Sequence, residues 1–172
     1  MSGRFENQVV LIFGGSSGIG KSTAAAVFRD GGIPWLIGRT EAKLEAVKKE
    51  IGPHAPERIR VTSIDVLAEE SLKSFFGALP VGSFHHMVLT VGESAKCIDI
   101  RGEEGLSGLR MQFDLKFFAQ IGPISYGVDK LADGGSIVLT SGAFSRRPGI
   151  GSTALSTANA ALEAIVKVSF CQ

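Results

Sequence analysis

The segment Phe13-Gly14-Gly15-Ser16-Ser17-Gly18-Ile19-Gly20 constrains this chain more than any other. It follows the apolar run Val9-Val10-Leu11-Ile12-Phe13 and opens a stretch of helical character over residues 21–29. A strand, a glycine-rich turn and a helix in that order form the setting in which such a turn takes up the pyrophosphate of a dinucleotide. Glycine lets the backbone turn tightly and approach the phosphates, and the helix N-terminus supplies free N–H groups and the positive end of a dipole. Gly14, Ser16, Ser17, Gly18, Ile19 and Gly20 are therefore candidate cofactor-binding residues. The bland alternative is a glycine-rich surface loop.

The remainder alternates between strand and helix. Strands are expected at about 8–13, 33–38, 58–64, 86–91 and 136–140. The 33–38 run is continuously apolar, as suits a parallel strand covered on both faces. Ile19, Thr23, Ala26 and Val27 have helical spacing, and Gly31-Gly32 ends that helix. Thr40 can cap a second helix facing inward through Leu44, Val47 and Ile51, which Gly52-Pro53 stops. Leu72, Phe75, Phe76 and Leu79 mark a third. A broad apolar face over 109–131 carries Phe113, Phe117, Phe118, Ile121 and Ile124, with a kink or break expected at Pro123. A last helix is expected at 157–168. The pattern predicts an α/β, doubly wound parallel-sheet dinucleotide-binding (Rossmann) fold, open rather than closed into a barrel.

The sequence stops at Ser169-Phe170-Cys171-Gln172, directly after the helix that follows the fifth strand. The expectation is one dinucleotide-binding domain over 1–172, truncated after that helix and lacking the C-terminal part of the usual six-stranded fold. A fifth strand with a free edge would leave backbone groups unpaired. Three explanations stay open: a truncated or alternative product, residues missing from the chain, or an edge covered by another subunit.

With 172 residues, 44% hydrophobic, 20% charged and a formal charge of +1, the composition is that of an ordinary soluble domain. That balance gives no reason to expect nucleic acid or an anionic membrane as partner. The 22 glycines fit many short turns. No signal-peptide core and no apolar run of spanning length occur, so a cytoplasmic location is the default expectation. Cys97 and Cys171 lie far apart with no CxxC pattern. They read as free thiols, and a pairing between them stays open.

Arg39 follows Gly38 at the expected end of the second strand, where this fold faces the adenosine ribose. A carboxylate there would favour NAD(H), whereas a guanidinium suits the 2′-phosphate of NADP(H). NADP(H) is the preferred cofactor, NAD(H) the second choice, and Thr40 a helper; an ordinary surface arginine is the alternative. Asp65-Val66 would lie on the adenine side, although Asp65 reads equally as a helix cap. Thr90 and Gly92 end the fourth strand, the glycine allowing close passage by the cofactor. Lys21 reads as solvent-facing.

Together these segments resemble the short-chain dehydrogenase/reductase family over nearly the whole chain. The turn at 13–20 resembles the family's Thr-Gly-x-x-x-Gly-x-Gly, with Phe13 in place of threonine. Asp65-Val66 matches its adenine-side motif, and Leu89-Thr90-Val91-Gly92 occupies the place of Asn-Asn-Ala-Gly. Gly135-Ser136-Ile137-Val138-Leu139-Thr140-Ser141-Gly142 resembles the strand leading to the catalytic serine. The resemblance implies a serine that polarises the substrate oxygen, a tyrosine that exchanges a proton with it, and a lysine that lowers the tyrosine pKa and holds the nicotinamide ribose. In register, those positions carry Gly142, Leu155 and Asn159. Leu155 has no proton to donate and Asn159 no charge. Ser141 is the adjacent catalytic candidate, Asn159 remains a cofactor-side candidate, and the family's helix-borne asparagine falls on Asp114.

Three further features are weaker. His85-His86 point to opposite faces of a strand, so no metal site is expected. Arg146-Arg147-Pro148 would attract an acidic substrate or form a solvated loop. Tyr126 reads as structural, and nothing beside Cys97 argues for a nucleophile. The resulting expectation is an NADP(H)-binding oxidoreductase with atypical hydride transfer involving a small carbonyl or alcohol substrate. It would be a homo-oligomer using the helices at 109–131 and 157–168. The alternative is an inactive cofactor-sensing or protein-interaction member of the same fold.

Overall fold

The computed structural model describes residues 3–92, 98, 100–103 and 105–169, so Cys97 and Cys171 lie outside the described residues. The chain divides into two units, one within Met1–Thr90 and Gly122–Val138, the other within Val91–Ile121 and Leu139–Gln172.

The first unit is built on β1 (Val9–Phe13), whose five residues are all buried. It pairs in parallel with β2 (Ile33–Gly38) on one side and β4 (Phe84–Leu89) on the other, and β2 pairs in parallel with β3 (Arg60–Ser63). With β5 (Leu131–Leu139) the sheet order is β3-β2-β1-β4-β5. The chain thus begins in the middle and winds outward in both directions, which is the doubly wound topology. Successive β1 side chains face opposite sides. Val10 and Ile12 pack in a cluster with Ala24 and Val27 of α1 (Gly18–Arg29) and Leu44 and Val47 of α2 (Glu41–Ile51). Phe13 stacks on Phe76 of α3 (Glu69–Gly77) at 6.2 Å between ring centroids, and Phe76 lies 6.3 Å from Phe84. Burying each such side chain contributes about 1.5–3 kcal/mol.

Strand β5 begins at Leu131, well before the expected 136. The run Asp133-Gly134-Gly135 reads as a turn, yet it lies inside the strand. Gly134 takes φ +74°, and a Cβ on Gly135 would come 2.5 Å from the His85 carbonyl oxygen. Glycine here permits a close backbone approach between neighbouring strands.

The second unit holds α4 (Gly105–Phe113), a π-helical turn over Asp114–Phe118, and α6 (Thr153–Ser169). After the π turn comes α5 (Ala119–Gly127), with Pro123 inside it. The helix thus runs through Pro123 without a break, and the π turn precedes it. There the Ala119 N–H donates to the Asp114 carbonyl, five residues back. Such single π turns are uncommon and occur frequently at functional sites. Among the described residues, no helix is long and apolar enough to cross a membrane.

Candidate functional site

In the first unit the chain leaves β1 through Gly14, at φ +84°. The Gly14 and Gly15 amides donate to the Ile37 carbonyl at 2.9 and 3.2 Å, tying the turn to β2. A Cβ on Gly20 would lie 2.2 Å from the Gly14 carbonyl oxygen and 2.7 Å from Thr90 Oγ1, so the turn closes only on glycine. Ser17 caps α1 in extended conformation without a side-chain bond, and the Lys21 amide donates to its carbonyl at 3.1 Å. The amides of Gly18, Ile19 and Gly20 precede that first bond and have no intrahelical acceptor. No acidic residue occupies the first turn. Ser16 is half-buried, Ser17 and Gly18 are exposed, and Ile19 is 64% exposed. An uncapped helix N-terminus of this kind is a ready anion site.

Around it, Thr90 directs both its amide and its hydroxyl to the Phe13 carbonyl, at 3.0 and 2.8 Å, joining the ends of β4 and β1. Arg39 is exposed at the end of β2, its carbonyl accepting from Ser63 Oγ at 3.0 Å. Thr40 caps α2 through its carbonyl alone, which accepts from Lys43 and Leu44. Asp65 is also exposed. Its Oδ1 accepts from the Leu67 amide at 3.1 Å, a local turn bond, and Val66 beside it is half-buried. Lys21 reaches Glu50 at 2.7 Å.

Tyr126 donates its hydroxyl proton to Glu69 on α3, which raises the phenol above its usual range and fixes it in a surface network. His85 Nδ1 accepts from the Val9 amide at 3.1 Å, while His86 bonds Ser136 Oγ and Gln8 Oε1 at 2.8 and 3.0 Å. Both histidines are therefore engaged in holding the sheet.

In the second unit Gln120, fully buried, organises the backbone. Its Nε2 lies 3.3 Å from the Val91 carbonyl, 3.2 Å from that of Lys116 and 3.0 Å from that of Thr140, while its Oε1 accepts from the Thr140 amide at 2.9 Å. Ser141 follows directly. Its Oγ lies 3.2 Å from the Asn159 carbonyl and 3.1 Å from Glu163 Oε1. Glu163 also accepts from Ser145 Oγ at 2.5 Å and pairs with Arg146 at 3.4 Å. The hydrogen bonds from Ser145 and Ser141 hold its carboxyl below the usual carboxylate range.

A Cβ on Gly142 would meet Asn159 Nδ2 at 3.0 Å, so these two positions adjoin. Asn159 is 2% exposed, and among the described residues its Oδ1 has no hydrogen-bond partner. Leu155 is half-buried one turn earlier on α6, and Asp114 is exposed.

The family model for short chain dehydrogenases matches residues 8–170. The chain belongs to that family. Among solved structures it is similar to a provisionally assigned short-chain dehydrogenase of Escherichia coli CFT073 complexed with NADPH. The identity is 20% at a TM-score of 0.86, covering 98% of this chain and 72% of the other. It is similar also to an NADPH-bound short-chain oxidoreductase of Pseudomonas aeruginosa PAO1 described as containing an atypical catalytic centre. That likeness is 23% identical at a TM-score of 0.83, covering 96% of this chain and 66% of the other. Both likenesses establish the fold. An 11-beta-hydroxysteroid dehydrogenase of Pinus massoniana is 25% identical over 128 residues, spanning 73% of this chain but 36% of the pine protein.

Three residues of this family member stand out in the second unit without having been singled out by sequence: Gln120, Glu163 and Lys116. Glu163 carried a signal, because it lies one helical turn beyond Asn159 on the face shared with Leu155. Gln120 and Lys116 carried none, since their importance depends on which carbonyls and glycines come near them.

Proposed function

We propose that the chain binds NADP(H) and that any hydride transfer it supports, with a small carbonyl or alcohol substrate, proceeds without a side-chain phenol. The observation that carries this reading is the uncapped, acid-free N-terminus of α1 behind a turn that only Gly20 allows. Its free amides suit the pyrophosphate. Arg39 at the end of β2 would take the 2′-phosphate, with Thr40 beside it, and Asp65-Val66 would lie along the adenine. Thr90 shapes the turn, and Gly92 leaves room beyond β4. The two NADPH complexes among the similar structures support this choice.

The buried, partnerless Oδ1 of Asn159 suits a ribose hydroxyl, which would donate to it. The bound cofactor would supply or accept the hydride. Leu155, in the family's tyrosine position, moves no proton, and Asn159, in the lysine position, adds no charge. Ser141 has a single proton, which faces the Asn159 carbonyl and Glu163; it reaches a substrate oxygen only by leaving them. Proton exchange would therefore pass through Ser141 or water, and holding the hydride donor beside the carbonyl would supply part of the acceleration.

That engagement of Ser141 favours a second reading, in which the chain binds NADP(H) as a sensor or interaction module without turnover. Self-association belongs to either reading. Leu106 and Phe118, 62% and 53% exposed, lie within the stretch from α4 through the π turn and support it.

Titration calorimetry with NADPH and NADH, followed by an NADPH-oxidation screen over ketones, aldehydes and quinones, tests the proposal. Tighter NADPH binding with turnover that falls on Ser141→Ala supports the oxidoreductase. Binding without turnover on any class favours the sensor, and absence of binding to either nucleotide defeats both.

A further inference from the structure

Lys116 lies on the π turn and is half-buried, and no described residue pairs with its ammonium. Its stem runs along the chain beyond β4: a Cβ on Gly92 would lie 3.1 Å from Lys116 Cδ and 3.5 Å from Nζ. Burial alone holds its pKa below the usual lysine range. An unpaired cation withdrawn from water is costly unless an acceptor joins it. The two lysines Lys21 and Lys73, by contrast, each have a carboxylate within 3.0 Å.

The place of Lys116 is fixed by Gln120. The carbonyls of Lys116, Val91 and Thr140 converge on its Nε2, at 3.2, 3.3 and 3.0 Å. The residues next in chain to the last two are Gly92 and Ser141. One buried carboxamide thus gathers the lysine turn and the segments following β4 and β5. In a doubly wound sheet ligands bind beyond the carboxyl ends of the strands, at the point where strand order reverses. That reversal lies between β1 and β4. With the adenosine half assigned to the ends of β2 and β3, the segment after β4 falls on the nicotinamide side.

We propose that Lys116 supplies the positive charge of this site, its ammonium donating to a hydroxyl oxygen of the nicotinamide ribose. The inference rests on the NADP(H) reading above and extends it to a residue on a different helix from Asn159. Glycine at position 92 belongs to the same device, because a methyl group there presses on the lysine stem.

The test uses calorimetry with two probes on wild type, Lys116→Met and Lys116→Arg: NADPH, and adenosine 2′,5′-bisphosphate, which lacks the nicotinamide ribose. Lys116→Met is expected to weaken NADPH about tenfold, the scale of one charged hydrogen bond, and to leave the bisphosphate within about twofold. Lys116→Arg should lie between it and wild type. If Lys116→Met does not fold, as read by circular dichroism, Lys116→Gln, which removes the charge but keeps a polar end, should give the same contrast in milder form. Unchanged NADPH binding in Lys116→Met, or equal weakening of both probes, overturns this inference alone. A wild type that binds neither probe overturns the NADP(H) reading and this inference with it.

Discussion

Gln120 holds both backbone polar groups of Thr140, donating to its carbonyl at 3.0 Å and accepting from its amide at 2.9 Å. A side chain therefore satisfies the backbone at Thr140, immediately after β5 ends. Gln120→Met keeps the volume but removes the Oε1 acceptor of the Thr140 amide and the Nε2 donor that the carbonyls of Val91, Lys116 and Thr140 share. A loss of about 2–3 kcal/mol is expected, measured by urea unfolding, together with faster hydrogen exchange at Thr140. Wild-type stability would show that the carbonyls find other donors.

Gly20→Ala is expected to disrupt the turn locally. The new methyl would lie 2.2 Å from the Gly14 carbonyl oxygen, so α1 and the turn must separate. A destabilisation of about 1–3 kcal/mol or more should accompany loss of nucleotide binding, read by thermal melts and calorimetry on the same samples. Retained NADPH affinity would count against the turn as the pyrophosphate site.

Arg39→Asp should reverse the cofactor preference. Replacing the guanidinium removes the partner of a 2′-phosphate and places a like charge in its stead. The NADPH affinity is expected to fall by about 1.5–3 kcal/mol while NADH binding holds or improves. Equal affinities for the two nucleotides in the wild type would sink the assignment.

Glu163 gives an acid-side prediction. Hydrogen bonds from Ser145 and Ser141, with Arg146 beside it, depress its folded pKa. Between the folded and unfolded pKa values the unfolded chain binds the extra proton, so stability rises with pH there. The contribution is complete above the unfolded value and disappears as pH falls through the folded one. Urea unfolding from pH 7 down to about pH 3.5 should therefore show a shallower acid decline for Glu163→Gln than for wild type. Parallel declines would remove Glu163 from the account.

Much of the fold was legible because its signals are local. The β1 run, the glycine turn and the apolar β2 segment show up in consecutive residues, and the structure places β2 at Ile33–Gly38 as expected. Strand β5 starts earlier than the expected 136, taking in Gly134 at φ +74° and Gly135, where a Cβ would lie 2.5 Å from the His85 carbonyl oxygen. No break occurs at Pro123, which lies inside α5, and the π turn ahead of it has no local sequence signal because it depends on where the i−5 bond forms.

The sequence by itself determined the doubly wound sheet and the glycine turn. These follow from periodicity, backbone permissiveness and side-chain chemistry, which are properties of residues and their near neighbours. Only the tertiary structure decided where the proton of Ser141 is directed, that Asn159 Oδ1 is buried without a partner among the described residues, and that Gln120 draws three carbonyls to one nitrogen. Hydrogen bonding and desolvation depend on atoms brought together from distant parts of the chain, and no local pattern encodes that meeting.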